Sequence, residues 1–310
     1  MLALPPGTTM REVRLFNSKH SSVFYFVWIA SLFISFDLVL SDFSCGSFVA
    51  IDITFYLNED TVFPFEGTFS LEPLNRTVQP FYKSSNSIFT NEHGGTHIDA
   101  PYHFNPHGLR LGDIPLANLL LVDGVIIDLS KKTENCPEYA VTVRDIREWE
   151  RLHGPLPDRC VVIFNFGWAQ KYTNSTVYKG LLSSDESDVH FPGIGGAAAK
   201  YLVDCKKAIG VGVDTLSIDV SSNVIAHQYI LGGNLFALEQ LALDRTVGVP
   251  ARGFKLIILP MRIERGTGGP AHVVIMVDPS KYPLVTPPGL FRTTLPDTDF
   301  TVHIECTKRN

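Results

Sequence analysis

Three imidazoles and a carboxylate fall within eleven residues in the run His93-Gly94-Gly95-Thr96-His97-Ile98-Asp99-Ala100-Pro101-Tyr102-His103, in a chain with only ten histidines. The run restricts local structure before it suggests any chemistry. On one continuous helix His93 and His97 would share a face and Asp99 would not, and the paired glycines and Pro101 oppose a helix in any case. An irregular or partly extended loop is expected instead. There His97 and Asp99 project to the same side at strand period, and the glycines let His93 fold back towards them. Imidazole is the commonest neutral ligand for first-row metals, and a carboxylate oxygen can bridge two of them. Drawn together, these side chains read as a hydrolytic metal centre.

With 310 residues and an ordinary apolar fraction, the chain can bury a sizeable core, and one principal domain is expected. The formal charge of −6 is small for this length and no cluster of five or more basic residues occurs, so no nucleic-acid partner is expected. Apolar runs bounded by turn residues predict strands at Phe48–Thr54, Val122–Leu129, Cys160–Phe166, Ile209–Val213, Lys255–Ile263 and His272–Val277. Thr142 with Asp145 three residues on resembles a capping box opening a helix through about His153, and Gly195–Lys207 carries apolar residues at helical spacing. Strands interleaved with few helices indicate an α/β domain. Ser183–Asp188 reads as a solvated loop despite its carboxylates, and His107 as a loop residue.

The apolar stretch from Val23 to Phe36, preceded by Arg11, Arg14 and Lys19 and followed by small and polar residues around Ser41 to Ser47, has the layout of a secretory signal. Residues 1–44 are therefore expected to be a leader and the mature protein to be exported, with a membrane anchor as the alternative if the segment is retained. Initiation at Met10 would give the leader a more usual length. The sequons Asn75-Arg76-Thr77 and Asn174-Ser175-Thr176 are compatible with that route. Cys136, Cys160, Cys205 and Cys306 lack metal-site spacing and read as structural, buried or paired in one of three possible ways. The domain is expected over residues 45–278, and the Pro/Thr-rich stretch 279–310 as an extended tail.

The run from His93 to His103 matches every fixed position of His-x-Gly-Thr-His-x-Asp-x-Pro-x-His, the signature of the cyclase family that includes the bacterial-type, metal-dependent kynurenine formamidases and the isatin hydrolases. The resemblance extends from about Ser47 to Val277. Asp52-Ile53-Thr54 resembles the family's Asp-Leu-Ser strand, and Gly212-Val213-Asp214-Thr215-Leu216-Ser217-Ile218-Asp219 its Gly-Ile-Asp-Thr-x-Ser-x-Asp segment. His227 and Glu239, twelve residues apart, match the His and Glu that complete the family's metal site.

The resemblance implies a swivelling β/β/α barrel-like fold and two divalent ions, one within His93, His97 and Asp99, the other reached by Asp99 and held by His227 and Glu239. Mixed imidazole and carboxylate ligation suits Zn best, with Mn also acceptable. The resemblance makes His103 a catalytic imidazole and not a ligand, and the protein a homo-oligomer. Asp214 and Asp219 follow an apolar strand, where active-site groups of α/β proteins often lie, yet capping and loop hydrogen bonds would explain them equally. Phe55 stands where the family often has His, and Val62-Phe63-Pro64 where it tends to carry a Trp near the substrate. Phe63 is accordingly the candidate substrate contact, and substrate choice can differ while metal chemistry survives.

The function so implied is hydrolysis of a small aromatic amide by metal-activated water, with N-formylkynurenine as the leading substrate and kynurenine and formate as products. Ring opening of an isatin-type cyclic amide is the alternative within the enzyme class. A secreted, non-catalytic metal-binding protein is the alternative outside it, and His103 argues against that because a binder has no need of a proton shuttle.

Overall fold

The structure, a computed structural model, describes residues 48–278 apart from positions 65, 66, 79, 80 and 186. The expected leader, the expected tail and Cys306 lie outside the described residues. Among the described residues there are twelve strands: β1 (Val49–Asp52), β2 (Phe69–Thr77), β3 (Lys83–Thr90), β4 (His97–Asp99), β5 (Leu120–Asp128), β6 (Ala140–Val141), β7 (Cys160–Asn165), β8 (Gly193–Ile194), β9 (Ala208–Val213), β10 (Phe236–Glu239), β11 (Arg252–Pro260) and β12 (Gly268–Val277). The helices are α1 (Ser130–Thr133), α2 (Val143–His153), α3 (Ser175–Lys179), α4 (Gly196–Asp204) and α5 (Ile225–Ile230), with five single 3₁₀ turns between elements. Among the described residues no helix is long and apolar enough to cross a membrane.

The main sheet closes on itself. Its order is β12-β11-β5-β7-β9-β10-β4, and β4 returns to pair with β12, giving a seven-strand barrel. The run β5-β7-β9-β10 is parallel, while β11, β12 and β4 pair antiparallel with their neighbours. Both β1 and β4 lie along one edge of β12, β1 against Val274–Val277 and β4 against Gly268–Pro270. The α/β architecture expected from the sequence is therefore present in barrel form.

Side-chain alternation along β7 shows how the barrel is filled. Val161 and Ile163 join a buried cluster with Ile98, Leu238, Phe254, Leu256, Val273 and Ile275, inside the ring. Val162 and Phe164 face the other way, into a cluster with Ile146, Trp149, Ala198, Leu202 and Ile230 of the helical layer. A strand buried on both faces must be apolar throughout, as Cys160–Phe164 is. The helix α2 is opened by the capping box of Thr142 and Asp145, and it docks through the Trp149 indole N–H, which donates to the Ile126 carbonyl at 2.8 Å.

Two expected strands shift their bounds. The strand expected at Lys255–Ile263 runs from Arg252 to Pro260, and the one expected at His272 begins at Gly268, because Gly268-Gly269-Pro270 forms ladder pairs with β4 instead of a turn. The hairpin β2–β3 was not foreseen; its strands pair only with each other and carry mostly exposed residues, so no alternating apolar signal marks them. Cys136, Cys160 and Cys205 are free thiols, and burial pushes that of Cys160 up to about 12. Described residues of the Ser183–Asp188 loop are hydrogen-bonded mainly among themselves at the surface, as expected.

Candidate metal centre

Register places the centre of the site. In β4 the side chain of Ile98 enters the barrel core, so His97 and Asp99 project to the opposite face. In the antiparallel pairing of β4 with β10, Leu238 is opposite Ile98 and Glu239 opposite His97. The carboxylate of Glu239 thereby meets His97, with contacts of 3.4 Å from His97 Nε2 to Glu239 Oε2 and 3.3 Å to Asp99 Oδ1. Before β4, Gly95 adopts φ +59°, a conformation natural to glycine, and turns the chain back so that His93 Nδ1 reaches Asp99 Oδ1 at 2.6 Å. On α5, His227 brings Nε2 within 3.2 Å of Asp99 Oδ2 and 3.4 Å of Glu239 Oε1. The five expected ligand residues thus converge on one point, from segments up to 146 positions apart (93 to 239).

The outer hydrogen bonds fix which nitrogen each imidazole presents. His97 Nδ1 meets the Gly95 carbonyl at 2.8 Å; a carbonyl only accepts, so Nδ1 carries a hydrogen and Nε2 is the nitrogen turned to the two carboxylates. His227 Nδ1 lies 2.5 Å from Asp219 Oδ2, which leaves its Nε2 facing Asp99 and Glu239 in the same way. His97 Nε2 is fully buried and has no hydrogen-bond partner. A ring nitrogen buried against carboxylate oxygens is unfavourable unless a proton or a metal cation stands between them. Imidazoles held from behind by a carbonyl or carboxylate are the usual outer arrangement of metal-binding histidines.

Charge leads to the same conclusion. Asp99 and Glu239 are both buried, and their two negative charges call for positive charge among them, from protons on the imidazoles or from a metal cation. Burial, then the charge of Asp99, pushes the Glu239 carboxyl up to about 7. Burial would also raise Asp99, but His93, His227 and His97 outweigh it and hold that carboxyl well below its usual range. Burial opposes charge on His97 and His227, yet the carboxylates draw them to about 9 and about 10. A field that attracts a proton so strongly attracts a divalent cation as well. The donor set fits a metal of the Zn or Mn type.

The donors form two groups that share Asp99: His97, Asp99 and Glu239 on the buried side, and His93, Asp99 and His103 on the open side. This differs from the grouping expected from the sequence, which put His93 with His97 and left His103 out. The ring of His103 stacks on His93 at 4.1 Å between centroids, behind the 3₁₀ turn begun by Pro101. Phe104, 37 % exposed, lies 4.6 Å from the His227 ring and 4.9 Å from that of His103, forming an aromatic rim.

The remaining candidates separate clearly. Asp219 accepts from the backbone of Ala226 as well as from His227, so it caps α5 and orients a site imidazole together. Asp214 is fully buried and accepts from the backbone N–H groups of Phe166, Trp168 and Ala169, a structural role. His107 is exposed in a loop. Phe63 is buried with its ring against Gly94, where a Cβ would stand 2.1 Å from its Cδ1, so it packs against the histidine loop, and it lines a neighbouring pocket with Phe55 and Tyr172. Phe104, Glu92 and Thr267 were not singled out in the sequence; adjacency to the motif could have found the first two, but nothing local marks Thr267.

The family model described as "Putative cyclase" matches residues 51–220. Among curated proteins, an isatin hydrolase of Roseibium aggregatum is 31 % identical over 208 residues, covering 64 % of this chain and 76 % of the relative. A kynurenine formamidase of Paracidovorax citrulli is 28 % identical over 192 residues, covering 61 % of this chain and 78 % of that protein. Among solved structures, isatin hydrolase A from Labrenzia aggregata superposes with TM-score 0.68 at 26 % identity, over 79 % of this chain and 99 % of the other. With the motif, the barrel and a match over more than half its length in agreement, this chain belongs to the cyclase family.

Proposed function

We propose that this protein hydrolyses the C–N bond of a small aromatic amide, with N-formylkynurenine as the leading substrate and kynurenine and formate as the products. One observation carries the reading: His93, His97 and His227 converge with two buried carboxylates while His103 stands at the open side of the same cluster. His93, His97, Asp99, His227 and Glu239 would hold the divalent ions. Metal ions bound there lower the pKa of water and polarise an amide carbonyl.

The protein's own groups do the rest. A ring nitrogen of His103 lies within 4.8 Å of ligand atoms of His93 and Asp99, close enough to exchange a proton through the attacking water. That nitrogen takes the water's proton as the oxygen adds to the carbonyl carbon, then delivers it to the leaving nitrogen as the C–N bond breaks. Asp219 and the Gly95 carbonyl keep His227 and His97 oriented throughout. The exposed ring of Phe104 offers a flat stacking surface to an aromatic substrate.

Opening of an isatin-type cyclic amide is the second reading, favoured by the 31 % identity to an isatin hydrolase. Metal analysis of the purified protein, combined with a panel of N-formyl aromatic amines and cyclic amides, tests both. Turnover of N-formylkynurenine well above that of isatin supports the first reading. The reverse order supports the second, and a metal-loaded protein inert to the whole panel refutes amide hydrolysis.

A further inference from the structure

Behind His93 runs a hydrogen-bonded chain that no ligand motif includes. His93 Nε2 lies 2.8 Å from Thr267 Oγ1, and Thr267 Oγ1 donates to Glu92 Oε2 at 2.6 Å. The Thr267 backbone N–H donates to that same oxygen at 3.1 Å. A hydroxyl has one hydrogen, and here it goes to the carboxylate; the oxygen can then only accept from His93. Nε2 therefore donates to the hydroxyl, and Nδ1 is the nitrogen turned to Asp99 Oδ1, at 2.6 Å, where a proton or a metal cation can be shared. Glu92 precedes His93 in the chain but reaches its ring only through Thr267, 175 positions away.

Thr267 is itself held in place. Its carbonyl accepts from Ala100 N at 2.8 Å, and the next residue, Gly268, pairs with Asp99 in the β4–β12 ladder. A Cβ on Gly268 would stand 2.6 Å from His93 Cε1, so the strand passes directly against the imidazole. His103 stacks on the same ring at 4.1 Å. The His93 ring is thus constrained by a strand, a second imidazole and an outer carboxylate, in the manner of the two histidines oriented by Gly95 and Asp219.

We propose that Glu92 and Thr267 are positioning residues that hold His93 as an Nδ1 donor and thereby set the metal affinity of the open side of the site. This rests on the reading of the cluster as a metal centre. Without the hydroxyl, His93 can adopt the other tautomer, whose Nδ1–H would donate to Asp99 and occupy the oxygen that a cation needs.

The test is titration of Zn(II) into metal-depleted full-length protein against a chromophoric chelator, for the parent, Thr267→Val, Thr267→Ser and Glu92→Gln. Loss of an outer partner of a ligating histidine typically lowers metal affinity about 10–100-fold. Thr267→Val should show that loss, Thr267→Ser should stay near the parent because it keeps the hydroxyl, and Glu92→Gln should fall between them. The melting temperature of each metal-depleted variant monitors the fold, and a long-range proton–nitrogen NMR spectrum should show the His93 Nε2–H signature lost in Thr267→Val. If that variant is too unstable to purify, Glu92→Gln carries the test. Equal affinity of Thr267→Val and parent, or equal weakening of the Val and Ser variants, would overturn the proposal while leaving the metal centre intact. A parent that takes up no Zn(II) would overturn both.

Discussion

His97 and His103 come from one short motif but occupy different environments, and substitution should separate them. His97 is fully buried between Asp99 and Glu239, whereas His103 is only partly buried and stacks on His93. His97→Ala is expected to remove metal and activity together. His103→Ala should keep most of the metal held by the buried donors and lose about 10²–10⁴-fold in turnover, the usual effect of deleting a general acid–base group. Metal content and hydrolysis of an N-formyl aromatic amine, measured on both variants, check the contrast. An unchanged rate for His103→Ala would remove it from the proton path. The converging cluster was legible in the sequence because most of it is packed into the eleven residues from His93 to His103. Thr267 was not, since its role depends on a hydroxyl that the fold returns to His93 from 174 positions away.

Among the elements, α2 is the clearest case of a sequence signal that became structure, and its cap links stability to pH. Asp145 accepts from the Thr142 N–H and hydroxyl and from the Tyr139 hydroxyl, and pairs with Lys132. Burial alone would raise its carboxyl, but Lys132, Thr142 and Tyr139 outweigh burial and hold it below the ordinary 3.8. A depressed carboxyl stabilises the fold above the unfolded-state value, and that contribution disappears as acid protonates the folded form. Asp145→Asn should therefore cost about 1–3 kcal/mol at neutral pH and flatten the loss of stability between about pH 5 and pH 2. Denaturant titrations across that range measure both effects, and parallel curves for variant and parent would exclude the linkage. Other elements were less legible. With three residues β4 cannot show a period, and Gly268-Gly269-Pro270 looks like a turn although it pairs with β4 because Gly268 lets the strand approach His93. By contrast β7 was read directly from its apolar run.

The closure of the barrel is a property of the whole molecule. The strand β4 pairs with both β10 and β12, so the strand that seals the ring also carries His97 and Asp99, and its neighbour carries Glu239. No local pattern in the sequence specifies that pairing; the resemblance to a family supplied the architecture, and residues alone gave only strands and helices. The same closure makes the fold and the metal interdependent. Donors from the loop at His93, from β4, from α5 and from β10 meet at one point, and without a cation Asp99 and Glu239 repel each other in a buried site. A ligand that binds only the folded state stabilises it by about 2.7 kcal/mol at a hundredfold excess over its dissociation constant. For a domain of this size each kcal/mol moves the melting temperature by about 2–4 °C, so chelation should lower it by about 5–10 °C. Adding back Zn(II) or Mn(II) should restore it, and the better-matched ion should restore more. Melting curves recorded with and without chelator measure the difference. Identical curves would mean that the five donors meet in the folded protein without holding a metal, since a cation bound among them could not leave the stability unchanged.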